Sequence, residues 1–355
     1  SGTTFTDYKI QVSMTKVDTG SQTYGQKYTS LPTPVKTGYT FNGWYTAVNG
    51  GTQVTTNTTV STASNHTLYA HWTDSTAPTA TLTSTSDLNA TSQTATLTCT
   101  DTSGVSSYYW GTTAPTSSST YTAITSTTSM SVEKSVTAAG TYYLACKDDT
   151  GNVSTTKSVT IYSYSVDNRL LTLTGTKNTL KSTNYTTATD YVNNGDPKCP
   201  SSAPCLAPSG TTITRTSVYS EPVGGEYYAM SIGAASSTAA TALTADPTLA
   251  ANTVYTAWWN RIVYTVNINA GTGGSVKATT EYNTTGVTVA SGSSGTISAR
   301  YGAQITVTAT AGTGYTFSAW SGYVTGTTNP QTGSAVTENK TTAAKAINAS
   351  FSGNT

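Results

Sequence analysis

Side chains that could do acid–base, nucleophilic or metal chemistry are few in this sequence. Charged residues make up 9% of its 355 residues, and only two residues are histidines. His66 and His71 are separated by an odd number of positions, so on one extended strand they point to opposite faces and cannot hold a metal ion together. A Ser-His-Asp triad would need one of them, and no Gly-x-Ser-x-Gly turn accompanies them. The sequence gives no catalytic residue, and we expect no enzyme activity.

Aspartates stand at the ends of two predicted strands. Asp101 follows the alternating run 95–99, and Asp148 with Asp149 follows the run 142–146. If both strand ends meet at one end of a β-sandwich, their carboxylates could bind Ca²⁺, which prefers oxygen ligands. Aspartate also suits ordinary turns, where it accepts hydrogen bonds from its own backbone. The turn role is favoured, calcium near Asp101, Asp148 and Asp149 is the alternative, and no other cofactor is expected.

The four cysteines predict disulfides rather than a metal site. An even number of cysteines with no Cys-x-x-Cys spacing and no histidine nearby is typical of proteins from an oxidising compartment. Cys199 and Cys205 flank a short loop with a proline at each end and could close it. Free buried thiols are the alternative interpretation.

The elements that position these residues are predicted to be strands. Short alternating runs such as 8–12, 95–99 and 262–268 are bounded by Gly, Asn, Ser and Pro, and no convincing long helix is found. A net charge of +1 gives no reason to expect nucleic acid or an anionic membrane as partner. No apolar run is long enough to span a membrane, and no signal peptide opens the chain. These features favour an extracellular segment.

One aromatic pattern recurs along the chain. Residues 38–45 read Gly-Tyr-Thr-Phe-Asn-Gly-Trp-Tyr and are followed by Leu-Tyr-Ala-His-Trp at 68–72. A second copy of the first half lies at 314–320, and a fainter copy at 224–230 leads to 254–258. In the fainter copy the interval from Met230 to Trp258 equals the interval from Trp44 to Trp72, so Trp258 aligns with Trp72. Self-similarity of this kind predicts a tandem repeat architecture.

These residues resemble the InlB B-repeat, also called the Listeria–Bacteroides repeat, of bacterial surface proteins. The match is closest in the first copy, and the copy near the C-terminus is similar to the divergent form of the repeat, with Phe351 at the closing position. The middle copy has Met230 in place of the first Trp and a long insertion. The resemblance implies small β-grasp-like modules strung on a cell-surface protein, without catalysis.

Residues 74–163 resemble the immunoglobulin-like domains of bacterial adhesins. Cys99 precedes Trp110, and Cys146 lies on an alternating strand with Leu144. The resemblance implies a sandwich whose two sheets are joined by a Cys99–Cys146 disulfide. The predicted fold is therefore all-β, with tandem small modules forming an elongated rod. The expected domains are 1–73 (B-type repeat), 74–163 (immunoglobulin-like), 164–261 (degenerate repeat with a disulfide loop) and 262–355 (divergent repeat).

Three aromatic side chains are candidates for contacts with other molecules. On the closing strand of the first repeat, Leu68, Ala70 and Trp72 are expected to face inward. Tyr69 and His71 would then face outward. Trp259 alternates with Trp258 and is also predicted to face outward, where it would cover a joint between domains or stack on a sugar.

The expected function is structural. We interpret the chain as a stalk or as a fibre or filament subunit of a bacterial surface adhesin, which acts through contacts with other protein chains, including copies of itself. The alternative is a ligand-binding adhesin module that recognises a glycan or a host protein. A third hypothesis, an accessory part of a large secreted glycosidase, would need a catalytic domain outside these residues.

Overall fold

The computed structural model describes residues 4–12, 16–171, 191–193, 198–218, 223–232 and 243–354. Within these residues the secondary structure is almost entirely strand, with one short helix, α1 (Arg215–Val218). The prediction of an all-β chain built from small modules is confirmed. The chain divides into two compact units, of which unit 1 comprises Ser1–Ser84, Thr94–Ser135 and Gly140–Thr160. Unit 2 comprises Thr85–Gln93, Val136–Ala139 and Ile161–Thr355.

The first repeat forms a five-stranded mixed sheet in unit 1. Its strands are β1 (Thr4–Val12), β2 (Lys16–Thr23), β3 (Tyr39–Tyr45), β4 (Gln53–Val54) and β5 (His66–Asp74). The spatial order is β2-β1-β5-β3-β4, with β1 parallel to β5 and the other pairs antiparallel. One face covers a small core of Tyr28, Trp44, Val54, Val60 and Leu68. Tyr69, Ala70 and Trp72 are half-buried, so alternation along β5 is only partly matched by burial.

The next strands of the chain bury a second core. They are β6 (Thr79–Ser84), β7 (Gln93–Gly111), β8 (Thr122–Val136), β9 (Gly140–Asp148) and β10 (Lys157–Leu171). The first half of β7 pairs with β6, and its second half, from Val105 onward, pairs with β9. Strand β7 changes partner at residues 101–104, where Gly104 has a φ of 105° that favours glycine. The immunoglobulin-like identity of this part stays a prediction.

The middle repeat lies in unit 2 and uses the second half of β10. Its other elements are β11 (Tyr191–Asn193), β12 (Cys205–Pro208), α1, β13 (Gly225–Ile232) and β14 (Thr253–Arg261). Strand β14 is parallel to β10 and antiparallel to β13. Strand β12 belongs to the insertion and pairs with β10. The core includes Tyr164, Val166, Met230, Tyr255 and Trp259.

The last module has two four-stranded sheets around one core. Its strands are β15 (Val263–Ala270), β16 (Gly274–Thr280), β17 (Asn283–Val289), β18 (Ser294–Arg300), β19 (Ile305–Ala311), β20 (Tyr315–Gly322), β21 (Gln331–Thr332) and β22 (Ile347–Gly353). The sheet orders are β18-β15-β22-β20 and β17-β16-β19-β21. Apolar residues of both sheets, such as Ile268, Ile305 and Trp320, are buried between them.

One strand arrangement occurs three times. In each copy the first strand is parallel to the closing strand, and the strand that carries the Gly-Tyr motif is antiparallel to it. An aromatic or Met faces an Ala in each copy: Trp44 and Ala70, Met230 and Ala257, Trp320 and Ala349. An irregularity precedes that pair in every copy, and beyond it lie the pairs Phe41 and Trp72, Tyr227 and Trp259, Phe317 and Phe351. Trp259, rather than Trp258, is therefore equivalent to Trp72, and the alignment expected from spacing is wrong by one position.

Candidate functional site

Trp259 is buried, so the prediction that it faces outward is wrong. Its side chain is 4% exposed and belongs to the core of the middle repeat, with Nε1 3.4 Å from the Asn168 Oδ1. Trp258 is 1% exposed and donates its Nε1 hydrogen to the Ser231 hydroxyl, 3.1 Å away. Both faces of β14 are covered, because all five consecutive residues from Tyr255 to Trp259 are buried. Alternation along one strand could not show this.

Tyr69 and His71 lie on the face of β5 opposite to the Leu68 side chain, and both are half-buried. Tyr69 pairs with Tyr45 across the strands. The rings of Tyr45 and His71 stack 3.9 Å apart. His71 Nε2 lies 2.9 Å from the Ala47 carbonyl oxygen, so this nitrogen carries the hydrogen and donates it. Their role as an interface or ligand contact stays a prediction.

His66 is held separately from His71 and has a structural environment. Its Nδ1 lies 3.0 Å from the Ser64 carbonyl oxygen and donates to it, which leaves Nε2 to accept the Tyr28 hydroxyl hydrogen at 2.6 Å. Both nitrogens of this ring are used in local hydrogen bonds.

The cysteines form the two predicted disulfides, Cys99–Cys146 and Cys199–Cys205. All four residues are fully buried. Cys99 lies on the half of β7 that pairs with β6, and Cys146 lies on β9, so the first bond joins the two halves of that core. The second closes the loop of the insertion beside β12. In the described residues no free cysteine is left for metal binding.

Three buried aspartates meet in unit 1. Asp74, Asp101 and Asp148 each place one carboxylate oxygen within 4.8 Å of the other two. Their exposed fractions are 6%, 8% and 2%. Asp101 and Asp148 were expected to approach each other, but Asp149 is not the third member. It is exposed and accepts a hydrogen bond from the Ser126 hydroxyl.

The turn that follows β9 positions Asp148. Its Oδ1 accepts the backbone N–H groups of Thr150 and Asn152 at 2.9 and 2.8 Å. The Asn152 side-chain nitrogen donates to Asp148 Oδ2 at 2.7 Å and also to the carbonyl oxygens of Asp74 and Thr76. This one amide thereby fixes the end of β5 beside the turn.

The other two aspartates cap their own local turns. Asp101 Oδ1 accepts the Ser103 N–H at 2.8 Å, and Asp74 Oδ1 accepts the Thr76 N–H at 2.9 Å. An aspartate that binds the N–H two residues later is a common turn signal. Asp74 begins the Asp-Ser-Thr segment after the first repeat, so the turn was detectable in the sequence. Its approach to the other two aspartates was not.

The carboxylates of this cluster have no positively charged partner among the described residues. The Ser103 hydroxyl and the Thr76 N–H lower the pKa of the Asp74 carboxyl, against the effect of burial, so it stays ionised at neutral pH. Its Oδ2 is buried and has no hydrogen-bond partner among the described residues. No ion pair in that part of the chain includes any of the three carboxylates.

Family comparisons agree with the repeated arrangement at both ends of the chain. The Listeria-Bacteroides repeat domain matches residues 4–71, and the divergent InlB B-repeat domain matches residues 285–355. These two parts of the chain are similar to InlB-type repeat domains. The first InlB-type repeat covers β1 to β5 almost completely, whereas the second match starts within β17.

Comparisons with whole proteins add little to this assignment. No curated protein is significantly similar to the chain. Among solved structures, the Bacillus anthracis TIE protein is 11% identical, with a TM-score of 0.23 over 78% of this chain. The chain spans 59% of that protein, and we draw no conclusion from a likeness at this level.

The InlB-type repeats and the two disulfides together indicate an extracellular or surface protein. Such repeats are typically non-catalytic surface modules. Among the described residues, no helix has the length and apolarity needed to cross a membrane.

Proposed function

We propose that this chain is a structural segment of a bacterial surface adhesin, either a stalk or a subunit of a fibre, which acts through contacts between protein chains. The observation that carries the proposal is the closing-strand register found three times, each with a large side chain opposite an Ala. Repetition of one unit extends a chain without adding a new chemical site, which is what a spacer requires.

The polar chemistry of the described residues supports the same function. Both histidines are engaged in local hydrogen bonds, and the cysteines are in disulfides. With charged residues at only 9% of the sequence, little electrostatic repulsion opposes close approach of neighbouring chains. The division into four domains and the rod shape, both predicted from the sequence, are part of this proposal.

Electron microscopy of the purified chain under non-reducing conditions tests this function. Four modules of roughly 35–45 Å each predict a rod of roughly 140–180 Å. End-to-end filaments with a regular repeat would identify a fibre subunit, and separate rods would identify a stalk. Sedimentation velocity over a range of concentrations distinguishes the two in solution. Compact, roughly spherical particles would contradict both.

The outer face of β5 favours ligand binding as a second candidate function. Tyr45, Tyr69 and the stacked His71 ring form a half-buried aromatic surface with a polar edge. Aromatic faces of this kind bind sugar rings and protein side chains. We expect Tyr69→Ala to abolish a hit in a glycan array or host-protein screen, with Tyr24→Ala, at an exposed tyrosine of the same repeat, as control. Equal binding by both variants, or no hit at all, would reject this candidate.

A further inference from the structure

The cluster of Asp74, Asp101 and Asp148 has the composition of a cation site. We propose that these three carboxylates bind one Ca²⁺ ion. The ion ties Asp74, at the end of β5, to Asp101, where β7 changes partner, and to Asp148, at the end of β9. This inference does not depend on the proposed function. Asp74, Asp101 and Asp148 are far apart in the sequence and come together only when the chain folds.

The unpartnered oxygen of Asp74 points to a ligand. Aspartates that merely cap turns satisfy their oxygens locally, as both oxygens of Asp148 do. Asp74 is only 6% exposed, yet its Oδ2 is buried with no hydrogen-bond partner among the described residues. A buried anionic oxygen without a partner is costly, and a bound cation removes that cost.

The charge of the cluster leads to the same conclusion. Three carboxylates lie within 4.8 Å of one another, and no ion pair in the described part of the chain includes any of them. A bound cation offsets the repulsion between carboxylates at such distances.

The ligand chemistry selects calcium among the metal ions. The cluster offers only carboxylate oxygens, whereas zinc and copper sites use histidine or cysteine. Ca²⁺ accepts six to eight oxygens in flexible geometry, whereas Mg²⁺ requires a near-ideal octahedron. An open cleft lined by Thr76, Thr100, Asp101 and Thr128 borders the cluster, and water from it could complete the coordination.

Terbium luminescence of the full chain tests the proposal, because Tb³⁺ replaces Ca²⁺ and is excited by nearby tyrosines. Tyr39 is suitably placed, since its hydroxyl lies 3.4 Å from the Ser103 hydroxyl, next to the cluster. We expect sensitised emission that Ca²⁺ displaces, and a calorimetric Kd for Ca²⁺ of about 10⁻⁴–10⁻³ M, as in extracellular modules. At 10 mM Ca²⁺ this affinity shifts the unfolding equilibrium of the site about 10- to 100-fold toward the folded state.

Three variants separate a built site from diffuse attraction of cations. Asp74→Asn should weaken Ca²⁺ binding at least tenfold, and Asp101→Asn should do the same. Asp149→Asn removes the same charge at an exposed neighbouring position and should change the affinity less than twofold. Near-ultraviolet circular dichroism of each variant without Ca²⁺ checks that it folds.

Three outcomes would overturn the proposal. The first is the absence of sensitised emission and of binding heat up to 10 mM Ca²⁺. The second is an equal loss of affinity in Asp74→Asn and Asp149→Asn. The third is a metal-free Asp74→Asn variant that is more stable than the parent while the parent binds no Ca²⁺. The last result would identify the cluster as turn-capping aspartates that repel one another without a bound ion.

Discussion

Replacement of Trp259 by alanine is expected to lower the free energy of unfolding of unit 2 by about 3–5 kcal/mol, the usual cost of truncating a buried tryptophan. The ring is 4% exposed and lies in one core with Tyr164, Met230 and Tyr255. Its loss leaves a large cavity and removes the indole N–H beside the Asn168 side chain. Urea denaturation followed by circular dichroism measures the change.

Trp259→Phe is the matched control for this prediction. Phe351 occupies the equivalent position in the last repeat, where it faces Phe317 across the strands. We therefore expect the phenylalanine variant to lose much less stability than the alanine variant. If Trp259→Ala keeps the parent stability but loses binding to a glycan or protein, the ring is a ligand contact and the core assignment is wrong.

The error about Trp259 has a definite physical cause. Alternation predicts which face a side chain occupies only while the register is regular and one face is exposed. In the middle repeat an irregularity lies between Tyr227 and Ala229, and it shifts the pairing by one residue. Strand β14 also has neighbours on both sides and buried side chains on both faces. The sequence predicted the strand correctly but could not assign its two tryptophans.

The repeats differ in how far the sequence alone could define them. The first was predictable in detail, because Trp44, Gly43 and the closing strand follow the family pattern, and the irregularity falls at Asn42. In the middle copy Met230 stands at the position equivalent to Trp44. Part of this copy, residues 172–190, 194–197, 219–222 and 233–242, lies outside the described residues. Its likeness to the other two copies is seen in the strand pairing, which the sequence does not state.

The acidic cluster was only half predictable for a similar reason. Asp101 and Asp148 follow strands that were expected to share one core, so their approach could be inferred. Asp74 ends the closing strand of the first repeat, and its position depends on the hydrogen bonds from Asn152 to the Asp74 and Thr76 carbonyl oxygens. Contacts between segments so distant in sequence arise from packing, not from local pattern. The family resemblances divide the chain at residue 74, and they predict no contacts between residues on the two sides of that boundary.

Removal of the Cys99–Cys146 disulfide, by Cys99→Ala with Cys146→Ala, is expected to lower the free energy of unfolding by about 4 kcal/mol. The bond spans a sequence separation of 47, and a loop of this length restricts the unfolded chain by about that amount. Both sulfur atoms are fully buried, so the folded state also loses packing. Calorimetry under non-reducing conditions should show a lower transition for unit 1.

The Cys199–Cys205 pair is the internal control, since its sequence separation is only 6. The same relation predicts a loss of about 2 kcal/mol for the double alanine variant, and the change should appear in the transition that contains unit 2. If both double variants lose the same stability, loop length is not the main source of stabilisation. If the Cys99–Cys146 variant is as stable as the parent, the two halves of that core hold together by packing alone. In that case the disulfide would matter for resistance to force or proteolysis rather than for equilibrium stability, because those properties depend on the rate of unfolding.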